Sequence, residues 1–357
     1  MKGLVLAGGY GTRLRPLTFT GNKHMLPIAN QPILFYGLKH LARAGIRDVG
    51  IILGPLHEEI QETVGDGQAL GLRVHYIHQG DPKGLAHAVL CAREFLGNDP
   101  FVMYLGDNLL QEGVEEFIRI YEAEHADAVV GATPVSNPQQ YGIVEVDGDR
   151  IRSIEEKPAS PRGNLALIGV YLFGPAIHPI VAKLQPSKRG ELEITEAIWK
   201  LAESGGRVVV HPVRGWWKDT GRPGDLLDAN ELVLSNLPPT AFTCTGVVAR
   251  DAALNGSVGV GLGTVIEGNV EVNGPVIIGA GAHIGSGSRI GPATALGDGV
   301  VISAAEITRS IVMEGTRIVG PIRLTDSLIG RNVEIQGRKR ARREMTAILG
   351  DAAQLRF

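Results

Sequence analysis

Three glycines stand within four positions at Gly8, Gly9 and Gly11, and Arg13, Arg15 and Lys23 follow closely. Glycine lets a backbone take positive φ and lets another molecule come near its main-chain N–H groups. A run of such exposed donors cradles anions, phosphates above all. The apolar stretch Leu4 to Ala7 reads as the strand that feeds this turn. Two well-known glycine loops do not fit. The string G-x-x-x-x-G-K-[ST] is absent, and a G-x-G-x-x-G reading begun at Gly9 meets Leu14 at its third glycine. The plain alternative is an ordinary glycine-rich turn.

Acids and amides further along could serve the same chemistry. Asp107 follows the apolar run Met103-Tyr104-Leu105, and Asp219 follows Trp216-Trp217-Lys218. A hard ion such as Mg²⁺ is usually held by one or two carboxylates together with phosphate oxygens and water. Asp107 and Asp219 could be that pair if the fold brings them together, which their spacing does not decide. Taken singly, each is equally a turn or N-cap aspartate. Glu155-Glu156-Lys157-Pro158 ends a strand with a fixed cation, where a surface ion pair is the plain reading. In Gln79-Gly80-Asp81-Pro82-Lys83-Gly84, the glutamine amide can donate and accept along a pyrimidine edge, and the Gly84 N–H can add a second bond. His87 reads as a helix residue packing nearby.

The elements that must position these groups fall into two patterns. Up to residue 236, apolar strands at 49–53, 74–78, 101–105 and 128–135 alternate with helical stretches at 32–44, 57–64, 84–95 and 114–124. That order predicts βαβ units in a Rossmann-like, mixed but mainly parallel sheet, with ligands at the carboxyl ends of the strands. Strands near 141–146, 151–156 and 167–173 and helices at 192–204 and 223–235 complete it. Residues 237–245, with two prolines, read as a linker.

From there the period changes. Val248, Leu254, Val260, Ile266, Val272, Ile278, Ile284, Ile290, Leu296 and Ile302 recur every six residues, separated by glycine-rich spacers. A fixed period of this kind marks a stack of repeats, here a parallel β-helix over 246–335. Val312, Ile318 and Leu324 continue in a displaced frame, which predicts a short loop after Ile302. Residues 336–357 read as a basic tail holding Arg338-Lys339-Arg340-Ala341-Arg342-Arg343.

Bulk composition narrows the function classes. With 44% hydrophobic and 20% charged residues and a net charge of −3, the chain is globular and does not attract polyanions as a whole. Neither nucleic acid nor membrane is an expected partner, since no apolar run reaches the ~18 residues of a span. Cys91 and Cys244 lack metal-site spacing and read as small core residues of a cytoplasmic protein.

Gly8 to Arg13, the string Arg15-Pro16-Leu17-Thr18 and Lys23-His24-Met25-Leu26-Pro27 together resemble the sugar-1-phosphate nucleotidyltransferases. Gln79 to Ala86 resembles their thymidylyl-transferring branch. The whole chain looks like the long form of the glucose-1-phosphate thymidylyltransferase family, which carries a left-handed β-helix. Gly190-Glu191-Leu192-Glu193-Ile194-Thr195-Glu196 and Asp219-Thr220-Gly221 agree with it. His24 and Lys218 depart from the short form, where glutamine and an apolar residue are usual.

The resemblance implies transfer of a thymidylyl group from dTTP to glucose 1-phosphate, with Mg²⁺ on Asp107 and Asp219. It assigns nucleotide binding to Leu6, Ala7, Gly8, Gly9, Gly11, Thr12, Arg13, Gln79, Gly84 and Asp107. Tyr141, Gly142, Glu156, Lys157 and Val170 would hold the sugar phosphate, and Arg13, Lys23 and Lys157 would act on the reacting phosphates. Three other readings stay open: a UTP- or other nucleotide-dependent sister enzyme, a second acyltransferase activity using His283, and a non-catalytic scaffold. Assembly through the β-helix into a homo-oligomer is expected.

Overall fold

The computed structural model describes residues 1–148, 150–337 and 344–357. Its chain forms two compact units, and they interleave along the sequence. The first comprises Met1–Tyr10 and Ile33–Asp219, the second Gly11–Pro32 and Thr220–Phe357. A boundary at 236 separates the sequence patterns but does not coincide with these units, because the segments 11–32 and 220–236 pack with the β-helix.

The first unit is built on a nine-stranded sheet. Four parallel strands lie side by side in the order Phe101–Leu105, Lys2–Ala7, Asp48–Leu53 and Arg73–His78, the last at the edge of the sheet. The first three are apolar because both faces are covered, and Leu4, Val5, Val49, Ile51, Val102 and Met103 have no exposed surface; Arg73–His78, expected from the sequence to be buried, is exposed or half-buried throughout. The helix Ile33–Arg43 covers the sheet with Leu34, Leu38 and Leu41, which share one helical face and are fully buried. Antiparallel strands extend the sheet beyond Phe101–Leu105, through Leu165–Phe173 to Gly142–Asp147 and Arg150–Glu156. A parallel pair, Ala128–Pro134 with Val208–Pro212, branches from the same strand.

One small pairing decides what this scaffold can do. Trp217–Asp219 lies antiparallel to Asn108–Leu110, with Asp219 opposite Asn108. Both strands are only three residues long, too short to show a period, and the sequence reading missed them along with Val208–Pro212.

In the second unit, three parallel sheets of seven, six and six short strands run side by side along 247–356. This arrangement is consistent with the left-handed β-helix. Ile266, Val272, Ile284, Ile290, Leu296 and Ile302 point inward with at most 1% exposure and form one continuous column. No loop is inserted after Ile302. The coil shortens instead: Ile284 pairs with Ile302, eighteen residues on, whereas Leu296 pairs with Val312, sixteen on. Ile307, Ile329 and Ile335 fill the inward positions that a strict six-residue frame misses. Residues 344–357 form the final coil, with Glu344–Met345, Ile348–Leu349 and Gln354–Arg356 each added to a sheet. The basic run 338–343 lies outside the described residues. Cys244 is exposed on the first coil and Cys91 is half-buried, so neither is a core residue.

The segment 11–32 and the helix Pro223–Asn236 are tied into the coils by polar groups. Asn230 is completely buried. Its Oδ1 accepts from Ala29 N at 2.8 Å and its Nδ2 donates to Ala293 O at 2.9 Å. Next to Ala29, Asn30 Nδ2 donates to Leu296 O at 2.6 Å. Arg309 joins Asp228 and Glu231 of the helix to Asp326 of the coils. At the last coil, Thr20 Oγ1 donates to Asp351 Oδ2 at 2.7 Å.

Candidate active site

In the first unit the expected site residues gather at the carboxyl ends of the parallel strands. Lys2–Ala7 runs into Gly8, Asp48–Leu53 into Gly54, and Arg73–His78 into Gln79. Leu6 and Ala7 are buried in the sheet. Gly8 and Gly54 touch backbone to backbone, since a Cβ on Gly54 would stand 2.1 Å from Gly8 O. On its other side Gly8 faces Gln79, with Oε1 2.9 Å from where a Cβ would lie. Gly54→Ala is therefore expected to displace the Gly8 backbone and raise the nucleotide KM about tenfold or more, read by steady-state kinetics at fixed sugar phosphate.

Gln79 is anchored at both ends. Its N–H donates to Leu53 O at 3.0 Å and its side-chain Nε2 to Gly84 O at 3.1 Å. Gly84 has φ 102°, and a Cβ there would collide with the Leu192 backbone at 2.5 Å. Only glycine serves at this position, just before the helix Leu85–Cys91.

Asp107 follows Gly106, whose N–H donates to Leu6 O at 2.9 Å. Asn108 is buried and holds the acid: its Nδ2 donates to Asp107 Oδ1 at 3.0 Å, while its Oδ1 accepts from Trp217 Nε1 at 2.7 Å. Because Asp219 pairs with Asn108, the short two-stranded pairing puts its backbone beside the neighbour of Asp107, 112 positions away in sequence. Among the described residues no cluster of three or more His, Cys, Asp or Glu side chains is placed to hold a metal. Two carboxylates alone suit a cation that completes its shell with phosphate oxygens and water.

A second group lies around Trp217. Tyr141 meets its ring edge-on at 5.4 Å, and Tyr141 O accepts from Lys157 N at 2.9 Å. Lys157 is exposed and left-handed at φ 46°, a conformation unusual for a side-chain-bearing residue. Its Nζ stands 3.8 Å from Glu156 Oε1. Gly142 packs against Thr195 Cγ2 and Glu156 Oε2, at 2.5 and 3.0 Å from a would-be Cβ. Val170 is fully buried beside Gly169, whose positive φ forms a bulge against Asn108 and Leu105.

Residues that carried no site role in the sequence reading complete this group, Arg189 and the stretch 191–195 that matched the family. Arg189 pairs with Glu156, Glu191 and Glu193 at 3.4, 3.0 and 3.2 Å. Burial pushes the Glu193 carboxyl above its usual range, although Ser187 donates to it. Thr195 Oγ1 is buried without a hydrogen-bond partner among the described residues, beside Gly142. An orphaned buried hydroxyl is costly and marks a place where a ligand can bond.

The remaining expected residues lie in the second unit. Gly11 is left-handed at φ 62° and its carbonyl accepts from Thr18 Oγ1 at 2.8 Å and Leu14 N at 2.9 Å. Lys23 packs against it, with Cβ 3.0 Å from where a Gly11 Cβ would lie. Thr12 and Arg13 are exposed on a single helical turn, Thr12–Leu14. His24 is buried with Nδ1 2.7 Å from Asn22 Oδ1, which also accepts the His24 N–H, so this departure from the short form serves to pack the turn.

The model of the Nucleotidyl transferase family matches residues 2–236. The chain belongs to that family. A second model, the GMPPB C-terminal domain, matches 272–356, ending where the last strand of the β-helix ends. The chain is 46% identical to the glucose-1-phosphate thymidylyltransferase of Streptomyces griseus, over 98% of both chains. It is 45% identical to that of Streptomyces antibioticus, over 99% of both. The solved structure of a UDP-glucose pyrophosphorylase complexed with UDP-glucose superposes with a TM-score of 0.60 at 26% identity, covering 66% of this chain and 99% of that one.

Proposed function

We propose that the chain transfers a thymidylyl group from dTTP to α-D-glucose 1-phosphate, giving dTDP-glucose and pyrophosphate. The observation that supports this reading most is the pairing of Asp219 with Asn108, the residue next to Asp107. The full-length likeness to two thymidylyltransferases supports the choice of nucleotide and sugar.

The nucleophile is already an anion, so the site needs no general base. It must offset the repulsion between two phosphate groups and hold them in line. Mg²⁺ on Asp107 and Asp219 would neutralise charge on the α-phosphate. The amides of Gly8, Gly9 and Gly11 lie along one loop with Thr12 and Arg13, and this loop takes the triphosphate, with Arg13 on the leaving pyrophosphate. Lys23 neutralises the reacting groups. Lys157 binds the sugar phosphate, Glu156 accepts from sugar hydroxyls, and Tyr141 with Gly142 walls the hexose. Gln79 and the Gly84 N–H read the base.

No described helix is long and apolar enough to cross a membrane. Assembly into a cytoplasmic homo-oligomer, with the β-helix as contact surface, belongs to the same proposal. The deciding experiment measures pyrophosphate release across dTTP, UTP, GTP and several hexose 1-phosphates. The dTTP and glucose 1-phosphate pair is expected to be fastest, and EDTA is expected to abolish turnover until Mg²⁺ is restored. Turnover that survives chelation would overturn the assignment of the acids.

A further inference from the structure

The amide of Gln79 is bonded on one side only. Its Nε2 donates to Gly84 O at 3.1 Å and lies 3.3 Å from His87 Nδ1. An amide nitrogen has two hydrogens and no acceptor capacity. Gly84 O can only accept. His87 Nδ1 must therefore present a lone pair, which leaves the ring proton on Nε2. That nitrogen faces Cys91 Sγ at 3.7 Å, one helical turn on. Burial pushes the Cys91 thiol up, so the sulfur meets the ring as a neutral group. Burial, and behind it the Lys83 ammonium, hold the His87 imidazole below its ordinary range and keep it neutral.

With both amide hydrogens committed inward, only Oε1 is left facing outward, on the side of Gly8. An oxygen accepts and cannot donate. We propose that His87 is a positioning residue that fixes the Gln79 amide with its oxygen outward, so that the site selects a pyrimidine whose ring N3 carries a hydrogen. Thymine and uracil have that N–H, whereas cytosine presents a lone pair at the same edge and meets another lone pair. The inference rests on the assignment of Gln79 as the base reader. Without His87 the amide keeps one inward bond, to Gly84, and loses the second contact that holds its plane.

The test compares kcat/KM for dTTP and dCTP in the full chain carrying His87→Leu, His87→Gln or Gln79→Ala. His87→Leu is expected to lose about tenfold or more of the dTTP preference, with the glucose 1-phosphate KM unchanged. His87→Gln, whose side-chain oxygen can take the Gln79 hydrogen, is expected to retain it. An unchanged preference in His87→Leu, or an equal loss in both histidine variants, would overturn the proposal. Ring-nitrogen NMR shifts of the unmodified protein give a reading that needs no variant. They are expected to show His87 protonated on Nε2, and a proton on Nδ1 overturns the inference even if the leucine variant fails to fold. Gln79→Ala separates the two readings: if it leaves the base preference intact, the assignment of Gln79 itself fails.

Discussion

Asp219→Asn is expected to lower kcat by about 10²–10³-fold, the usual effect of removing one preorganised charge from a transferring phosphoryl group. The substitution keeps the size of the side chain and its capacity to accept hydrogen bonds. The pairing of Trp217–Asp219 with Asn108–Leu110 runs through the backbone and should persist, so the melting temperature is expected to stay near that of the parent protein. What is lost is one of two negative charges available to a divalent cation. The variant should therefore need more Mg²⁺ for its residual turnover, and a Mg²⁺ titration of pyrophosphate release reads this directly. Asp107→Asn should behave alike. The double variant should be little worse than either single one, because the two acids act as a unit. Full activity in either single variant would remove the basis of the proposed reaction.

Asn230→Leu is expected to destabilise the second unit by about 2–5 kcal/mol, the cost of stranding two buried backbone groups. Leucine fills a similar volume but bonds neither the Ala29 N–H nor the Ala293 carbonyl, both of which Asn230 now satisfies. Calorimetry should show the transition fall by several degrees. Asn230→Asp offers a graded comparison: it can still accept from Ala29 but cannot donate to Ala293. Its loss should be smaller at low pH, where a protonated carboxyl regains a donor. Because Ala29 follows Lys23 and Pro27 on the same segment, Asn230→Leu should also weaken dTTP binding more than it weakens glucose 1-phosphate binding. An unchanged melting transition would show that this buried amide is dispensable.

The strand ends that carry Gly8 and Asp107 were legible because buried parallel strands are continuous apolar runs bounded by turn residues. The β-helix was legible for the same kind of reason, since one inward aliphatic per six residues is a strong period. The pairing of Asp219 with Asn108, next to Asp107, was not, because it depends on two three-residue strands that carry no pattern of their own. Ile307 was missed because a coil one or two residues shorter keeps its sheet register while breaking the sequence frame. Arg189, and the role of Thr195 within the matching stretch 190–196, were hidden for a further reason. Their significance lies in what surrounds them, a buried hydroxyl with no partner among the described residues and a guanidinium among three acids, and neither residue type is unusual in isolation. The interleaving of the two units rests on Thr20, Asn30, Asn230 and Arg309, single polar residues with no periodicity to announce them.

The bond between Thr20 and Asp351 spans 331 positions of chain. A ribosome making this protein delivers the segment 11–32 long before Asn230 and Asp351, the groups that anchor it. Every partner of 11–32 described above, from Asn230 to Asp351, emerges later than most of the nine-stranded sheet. The nascent chain can thus complete much of its sheet while the segment 11–32 still lacks the later groups that fix it.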